Sequence, residues 1–577
     1  MEITDQNYVN PLSEGTFRHY DFLLADTILH ATDTTFVIRF RPLANKNFTA
    51  LQGLLYINTD GYAIENVIAA PADSTQSLQF SIQQQSVRVD GRWFPQLLHA
   101  DLFIQMGMAG NFVGYGFRNR SILSNITLEP PAARYFNHYL KENEAHSNHM
   151  PDSLRLAPLQ AREQNTYAYW DSLPELQTAY RVLKSYNGLV RVMSSGLWTG
   201  EHLDVVVPDL WRVNAYEGSR FGLGLKTNPR LLKHLSIYAY GAYGIRDQAW
   251  KYGGALEAKL YRHRDIRLRA SYSNDLIAPG GLPFLSAINN PWASWSARNL
   301  ILEQLDWQEE VRADLIYRPH GSWQLNAFLS RSQRRPTYNY RYGEEGSASD
   351  TDFRLTETGI LLRWAPKEKL VKMQEVEAIL YPTFPIIDLS AAQLFFANQN
   401  QAVQKLSARL QHEQRWKYLG VTELSVQAGW LSESVPYPFL FQAPGNRGNS
   451  ISSSAVFNTA GVTEFAHDLF LQGFFTHRFG SLLGRNRTPY FRPELRLIQQ
   501  LGWGKLRKRE LHQDIILNDM RHLFLESGLG VDNIIRIPYF KAVYFGLGGS
   551  VWYRWGAYHL PELKDNFHFQ LTFNISV

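Results

Sequence analysis

The last eleven residues read Phe567-His568-Phe569-Gln570-Leu571-Thr572-Phe573-Asn574-Ile575-Ser576-Val577. Apolar and polar side chains alternate without a break. Phe567, Phe569, Leu571, Phe573, Ile575 and Val577 fall on one face, and His568, Gln570, Thr572, Asn574 and Ser576 on the other. A period of two marks a β-strand with one apolar face. Two architectures end on such a strand: a soluble sandwich with a half-buried last strand, and a closed transmembrane barrel. Barrels of this kind commonly finish on an aromatic residue, and Val577 departs from that habit.

The same alternation recurs upstream. Ile266, Leu268, Ala270 and Tyr272 alternate with Arg267, Arg269, Ser271 and Ser273. Val311, Ala313, Leu315 and Tyr317 alternate with Glu310, Arg312, Asp314 and Arg318. Leu406, Ala408 and Leu410 alternate with Lys405, Ser407, Arg409 and Gln411, and Leu424, Val426, Ala428 and Trp430 follow one short turn later. Leu495, Leu497, Leu501 and Trp503 oppose Glu494, Arg496, Ile498 and Gln500, with Gln499 interrupting the apolar side. These segments run about ten residues or more, whereas soluble strands run ~5–6 and a tilted membrane crossing needs ~9–11. Length therefore favours the barrel. Tyr317, Trp364, Trp416, Trp430, Trp503 and Trp552 sit near segment ends, where aromatic girdles meet the headgroup layer. Roughly fifteen segments follow residue 218, and even strand numbers are the rule, so about 14 or 16 strands are expected. Connections at 262–265 and 417–420 are short; those at 277–304, 335–352 and 433–467 are long. Short turns at one end and long loops at the other fit an outer-membrane barrel.

Composition agrees. The 577 residues carry a net charge of +5, 14% aromatics and 19% charged side chains. That aromatic load excludes a disordered chain. With no cysteine, disulfide frameworks, thiolate zinc sites and cysteine nucleophiles are excluded. A mean hydropathy of −0.29, with no apolar run of ~18 residues, excludes a helical membrane protein.

The N-terminal part reads differently. Shorter alternating runs at Phe36–Arg41, Leu54–Asn58, Ile64–Ala69, Leu78–Val89 and Trp93–Gln105 are broken by Asp60-Gly61 and Asp90-Gly91, a strong hairpin signal. We expect an antiparallel β-domain over 1–131. Its apolar positions, among them Phe36, Ile38, Phe40, Leu55, Ile57, Ile64, Val67, Phe80 and Ile82, suit either a dry core or a sheet that cups acyl chains, as in lipoprotein carriers. Residues 132–216 lose the period of two. Leu176, Ala179, Tyr180 and Leu183 follow helical spacing after Pro174, so this stretch is expected to be a helical linker, with a lumenal plug as the alternative. The barrel is expected over 217–577. The first residues lack a basic region and an apolar stretch, so no signal peptide is read there; set against the barrel, this is expected to reflect a missing N-terminal segment.

Several landmarks carry a resemblance. They are the run Gly53 to Ala69, the run Asn214 to Leu225, Trp250-Lys251-Tyr252-Gly253-Gly254, Val435-Pro436-Tyr437-Pro438 followed by Gly445-Asn446, Phe465 to Gly480, and Ser527 to Asn533. In this order the chain resembles a Gram-negative outer-membrane barrel family of unknown function, whose members usually begin with a carboxypeptidase-regulatory-like domain. The resemblance implies an outer-membrane location, a periplasmic β-domain before the barrel and no assigned catalytic or binding residues. The chain departs from the family in lacking that first domain. A more distant similarity to Omp85-type barrels brings no clear match to their arginine loop motif; Gly445-Asn446-Arg447-Gly448 is the nearest stretch.

No enzyme constellation stands out. His412-Glu413-Gln414-Arg415-Trp416 fails the two-histidine metal motif, and neither a Gly-x-Ser-x-Gly elbow nor a phosphate loop occurs. His138, His146, His149, His467, His477 and His512 are scattered; His467-Asp468 facing His477 is the single pairing a hydrolase could use. The expectation is no enzyme, no cofactor and no metal. If the apolar side meets lipid, then Glu257, Lys259, Arg267, Arg269, Glu310, Arg312, Asp314, Arg318, Lys405, Arg409, Glu413, Arg415, Glu494, Arg496 and Glu526 point inward. An outward Arg or Lys at mid-membrane would cost ~2–4 kcal/mol each. Inward, they either cross-link the strands of a filled lumen or line a polar pore, although selective pores favour rings of one sign. The Lys505, Arg507, Lys508, Arg509 cluster suits a membrane-edge turn better than a nucleic-acid groove. Expected partners are outer-membrane lipid and periplasmic or surface proteins, with nucleic acid excluded. The role read from these features is non-enzymatic: envelope biogenesis, export or assembly of surface components. A transport pore, an outer-membrane enzyme and a lipid- or lipoprotein-binding module are the alternatives.

Overall fold

Alternation dictates sheets, and sheets make up the molecule. The computed structural model describes residues 2–3, 6–43, 50–72, 78–108, 111–129, 139–141, 195–261, 265–282, 297–320, 322–344, 350–366, 369–373, 376–381, 384–397, 402–416, 419–451, 455–479, 493–539 and 543–576, with a few single positions between.

The first sheet is an antiparallel meander of seven strands. They are β1 (Tyr20–Leu29), β2 (Thr34–Pro42), β3 (Leu51–Asn58), β4 (Ala63–Pro71), β5 (Leu78–Val89), β6 (Arg92–Met108) and β7 (Asn111–Ile122). Asp90 and Gly91 both take positive φ, 45° and 75°, the backbone a two-residue hairpin with right-handed strand twist requires. Phe40, Leu55 and Phe80 anchor its core with Tyr8, Tyr20 and Leu51, and Ile38, Ile57, Val67 and Ile82 pack against them.

The second sheet has 18 strands in sequence order. Three are short: β8 (Leu197–Thr199), β9 (Leu203–Val206) and β10 (Trp211–Asn214). The long ones begin with β11 (Gly218–Thr227), β12 (Leu235–Gly244), β13 (Trp250–Tyr261), β14 (Ile266–Ile277), β15 (Asp306–His320) and β16 (Trp323–Pro336). Next come β17 (Phe353–Trp364), β18 (Ile386–Phe396), β19 (Val403–Trp416), β20 (Gly420–Leu431) and β21 (Leu469–Arg478). The wall ends with β22 (Glu494–Lys505), β23 (Phe524–Tyr539), β24 (Val543–Trp555) and β25 (Phe567–Ser576). β9 and β10 both pair with β11, at Leu203↔Thr227 and Trp211↔Phe221, so they form one strand interrupted at Val207–Asp209, and β8 pairs with β9 beyond it, at Leu197↔Val206. The sheet thus starts at Leu197, within the stretch expected to be a linker. Pieces of three or four residues are too short to display a period of two. Leu176, Ala179, Tyr180 and Leu183 lie outside the described residues.

Burial runs opposite to that of a soluble protein. On β25, Phe569, Leu571 and Phe573 are 72%, 56% and 58% exposed, while Gln570 and Thr572 are each 4% exposed. The same inversion holds at Leu268, Val311, Leu315, Leu329, Ile360, Leu406 and Leu497, all exposed. A continuous apolar outer face around a buried polar face is the pattern of a barrel that crosses a bilayer. Outward aromatics gather at both strand ends. Trp323 and Trp364 pack together, ring centroids 5.7 Å apart, and with Trp416 mark the short-turn end; Trp250, Trp430 and Trp555 mark the other. Trp552, expected in a girdle, instead points inward, 2% exposed, and donates Nε1–H to Ser550 Oγ at 3.1 Å. Aromatics on both faces of Trp552-Tyr553-Arg554-Trp555 made that parity ambiguous.

Among the described residues no ladder joins β25 to the split first strand. The free edge of β25 is taken by the 432–468 connection: Leu571 N–H donates to Ser450 O at 2.7 Å, and Ile451 bridges Leu571 in parallel. The short helix Ala297–Ile301 packs against β10, and its Arg298 donates to Gly445 O and Val462 O, both at 3.2 Å. The same connection therefore touches β25 directly and reaches β10 through this short helix.

Candidate functional site in the barrel interior

The inward face of the strands is not uniformly polar. Toward the long-loop end it carries Phe328, Phe353, Leu355, Leu394, Phe396, Val403 and Phe470, and these pack with Tyr340, Val435, Tyr437, Phe439 and Phe441 from the loops. A second cluster joins Phe457 and Phe465 of the 432–468 connection to Phe474, Met520 and Phe524. Reading inward as polar missed this half-interior, because charges are conspicuous in an alternating strand and buried apolar loops are not periodic.

Polar clamps fix the connection to the wall. Glu526 on β23 is fully buried. Its carboxylate accepts from Asn458 N–H at 2.8 Å, Thr459 N–H at 2.8 Å and the Thr459 hydroxyl at 2.6 Å. On β24, Arg554 sits opposite Glu526 in the ladder and donates to Glu464 Oε1 at 2.7 Å, its guanidinium lying 4.9 Å from the Phe524 ring centroid. Asn446 forms a hub. Its amide donates to Ile451 O at 3.1 Å and Asn458 Oδ1 at 2.9 Å, and its Oδ1 accepts from Asn449 Nδ2 at 3.2 Å. Gly445 is required beside it, because a Cβ there would collide with the carbonyl of Gly461. Asn449 O in turn accepts from Gln570 Nε2 of β25 at 3.1 Å. On the far wall, Arg334 Nη1 donates to Pro438 O at 3.0 Å and Lys405 Nζ to Phe439 O at 3.3 Å. Arg507 N–H donates to Asp468 Oδ2 at 2.6 Å and its Nη1 to Ser432 O at 2.9 Å. That places Arg507 at the root of the connection rather than in a free basic cluster.

All fifteen charged residues expected inward share the parity opposite to the exposed apolar positions of their strands. The structure brings several together along the wall. Arg312 pairs with Asp314 at 2.9 Å, which also accepts from Asn326 at 3.1 Å. Arg409 pairs with Asp388 at 2.7 Å. Arg267 meets Glu257 at 3.5 Å and Asp265 at 3.1 Å. Arg415 meets Glu413 at 3.1 Å, Arg496 meets Asp532 at 3.5 Å, and Arg318 donates to Gln324 at 2.6 Å. Lys405 and Glu526 hold the connection instead. Glu310 and Glu494 lie on the same inner face, as do Lys259 and Arg269. Interleaved signs pair across neighbouring strands at Arg267–Glu257, Arg409–Asp388 and Arg496–Asp532, as cross-strand stabilisation favours, and along one strand at Arg312–Asp314 and Arg415–Glu413.

Sequence reading missed a further buried group on the first strands. Lys251 is fully buried, 2.9 Å from Glu217 and also paired with Asp247. Arg220 donates to both oxygens of Asp275 at 2.6 and 2.9 Å, and Tyr240 donates to the same carboxylate at 2.8 Å. These charges sit singly at strand ends and in turns, and Arg220 lies in β11 among glycines that dilute the period, which hid them.

The hydrolase pairing is overturned. His467 lies at the long-loop end of β21, against Gly504. His477 lies at the other end, about 34 Å of strand away, where its ring meets Thr422 Oγ1 at 2.8 Å and Leu419 O at 2.9 Å. His138, His146 and His149 lie outside the described residues. Among the described residues no group of three or more His, Asp or Glu side chains could hold a metal ion.

No protein-family model matches the sequence, and no curated protein does. Solved structures are loosely similar, among them these two. One is BamA from Haemophilus ducreyi lacking POTRA domains 1–3, at 9% identity and a TM-score of 0.38, over 63% of this chain and 69% of that one. The other is CdiB from Acinetobacter baumannii, at 10% identity and a TM-score of 0.32, over 63% of this chain and 58% of that one.

Proposed function

We propose that this chain is an integral outer-membrane β-barrel that works without catalysis in envelope biogenesis, export or the assembly of surface components. The observation that carries the reading is the clamped 432–468 connection. It fills the interior between the two clusters and reaches the open edge of β25. An interior filled in this way does not suit free diffusion. Its clamp is made largely of hydrogen bonds and ion pairs, which exchange with water or a client at modest net cost. Such a device suits a barrel that opens on engagement. The ordered landmarks that resemble the outer-membrane family support the location, and on the same reading the seven-stranded sheet is a periplasmic domain that meets protein partners. A passive pore is the second reading, favoured by inner-face charges between β13 and β19 that stay exposed, such as Lys259 and Arg415.

Two experiments test this. The folded protein in detergent should migrate faster on an SDS gel unheated than boiled, and unchanged mobility would remove the barrel. Depleting the protein from its host should lower the amount of surface-exposed envelope components; a normal surface would remove the assembly role and leave the pore.

A further inference from the structure

The outer face of β14–β19 departs from a plain apolar band. A groove of about 650 Å³ runs across it, floored by Ala313, Ala327 and Ala391 and walled by Leu315, Leu329 and Ile360. That volume lies within the range of about 300–1,000 Å³ usual for ligand sites. Ladder register fixes what stands above it. Leu329, Thr358, Gln393 and Gln404 share one row. The next row holds Arg331 opposite Thr356, and the one beyond holds Gln333 opposite Arg354. Arg331 and Arg354 are therefore diagonal neighbours, about 7 Å apart at the backbone. Both are exposed, and neither forms a salt bridge among the described residues. Arg335 pairs with Asp352 at 3.2 Å, and Glu309, which accepts the Tyr272 hydroxyl at 3.0 Å, stands opposite Gln333 as the other carboxylate of this patch, so three guanidinium groups face two carboxylates.

Depth is set by the strands. Arg331 is eight residues beyond Trp323, or about 27 Å of strand and about 21 Å of height at a 40° tilt. The apolar band of such barrels is about 25 Å tall. Arg354, ten residues from Trp364, thus stands near the long-loop edge of that band and Arg331 about 4 Å inside it, and their long side chains reach the headgroup layer opposite the Trp323–Trp364 girdle. The patch therefore keeps a net positive charge, and guanidinium suits phosphate.

We propose that this face is a binding site for a phosphorylated glycolipid. Arg331 and Arg354 hold its phosphate, and Thr358, Gln393 and Gln404 meet the hydroxyl or amide groups where the chains are attached. The groove takes an acyl chain. The site rests on the membrane-spanning reading.

The test uses the full chain in nanodiscs of lipid A, phosphatidylglycerol and phosphatidylcholine in equal amounts, with retained lipid read by native mass spectrometry. We expect lipid A to be retained about thirty-fold over phosphatidylcholine, since each basic group at the surface contributes about fivefold. R331Q/R354Q should bring that ratio near one, R331K/R354K should keep most of it, and A327W should lower retention of lipid A by filling the groove. Equal retention of lipid A and phosphatidylcholine in the unaltered chain, or an unchanged ratio in R331Q/R354Q, overturns the site. Phosphatidylglycerol retained as well as lipid A overturns the glycolipid assignment. Each variant must show the heat-dependent gel shift of the unaltered chain; loss of that shift in the unaltered chain would instead refute the membrane-spanning reading.

Discussion

Glu526 shows how a single side chain closes the interior. A buried carboxylate is tolerated when hydrogen bonds satisfy it, and three donors from the 432–468 connection do so here. Glu526→Ala would leave those donors unpaired beside Arg554. Loss of a hydrogen-bonded charge at such a site costs about 3 kcal/mol, so the fraction of molecules with the connection released should rise roughly a hundredfold. Limited proteolysis of residues 444–461 should speed up accordingly, with Glu526→Gln intermediate because one acceptor becomes a donor. An unchanged cleavage rate in Glu526→Ala would show that the clamp is not held there. A second residue-scale test uses Gly445. Gly445→Ala forces a Cβ onto the Gly461 carbonyl and should release the Asn446 hub, with the same gain in cleavage.

Elements interlock at the loop end through a pH-sensitive contact. Arg341–Tyr342 pairs with His512–Gln513 across two long connections. Tyr437 N–H donates to the Tyr340 oxygen at 2.8 Å, and the Tyr340 hydroxyl contacts His512 Nδ1 at 2.9 Å, which must be unprotonated to accept. Burial pushes the His512 imidazole down to about 4. A histidine depressed in the folded state and near 6.5 when released binds more protons once released, so its contribution to stability is present above pH ~6.5 and fades as pH falls toward 4. Between pH 7 and 4.5 this pairing should weaken by about 2 kcal/mol. Hydrogen exchange of residues 341–342 and 512–513 should accelerate over that window, and His512→Gln should flatten the dependence. Exchange that stays constant from pH 7 to 4.5 in the unaltered protein, after correction for intrinsic rates, would contradict this. Nothing in the spacing of His512 announced the role. The strands were legible because a period of two repeats over ten residues, as at Val311–Tyr317. Contacts such as Tyr340–His512 join residues 172 apart in loops, where no period exists to read.

At the scale of the molecule, the C-terminal alternation separated an exposed apolar face from a buried polar one, and Glu257 through Glu526 share the parity opposite to the exposed apolar positions. Three things did not follow. The start of the sheet was hidden because β8 has three residues and the strand after it is split into β9 and β10 around Val207–Asp209. The apolar half of the interior was hidden because its partners come from aperiodic loops. The clamps were hidden because Arg554 shares its strand with aromatics on both faces. Together these put the 432–468 connection inside an interior that was expected to be either cross-linked by charges or an open pore; the proposal that this connection closes the barrel is tested most directly by conductance. Reconstituted into planar bilayers, the unaltered protein should stay closed for nearly all of the recording, and Glu526→Ala combined with Arg554→Ala should open it to long-lived steps. A steadily open unaltered protein, or a double variant as silent as its parent, would contradict the account.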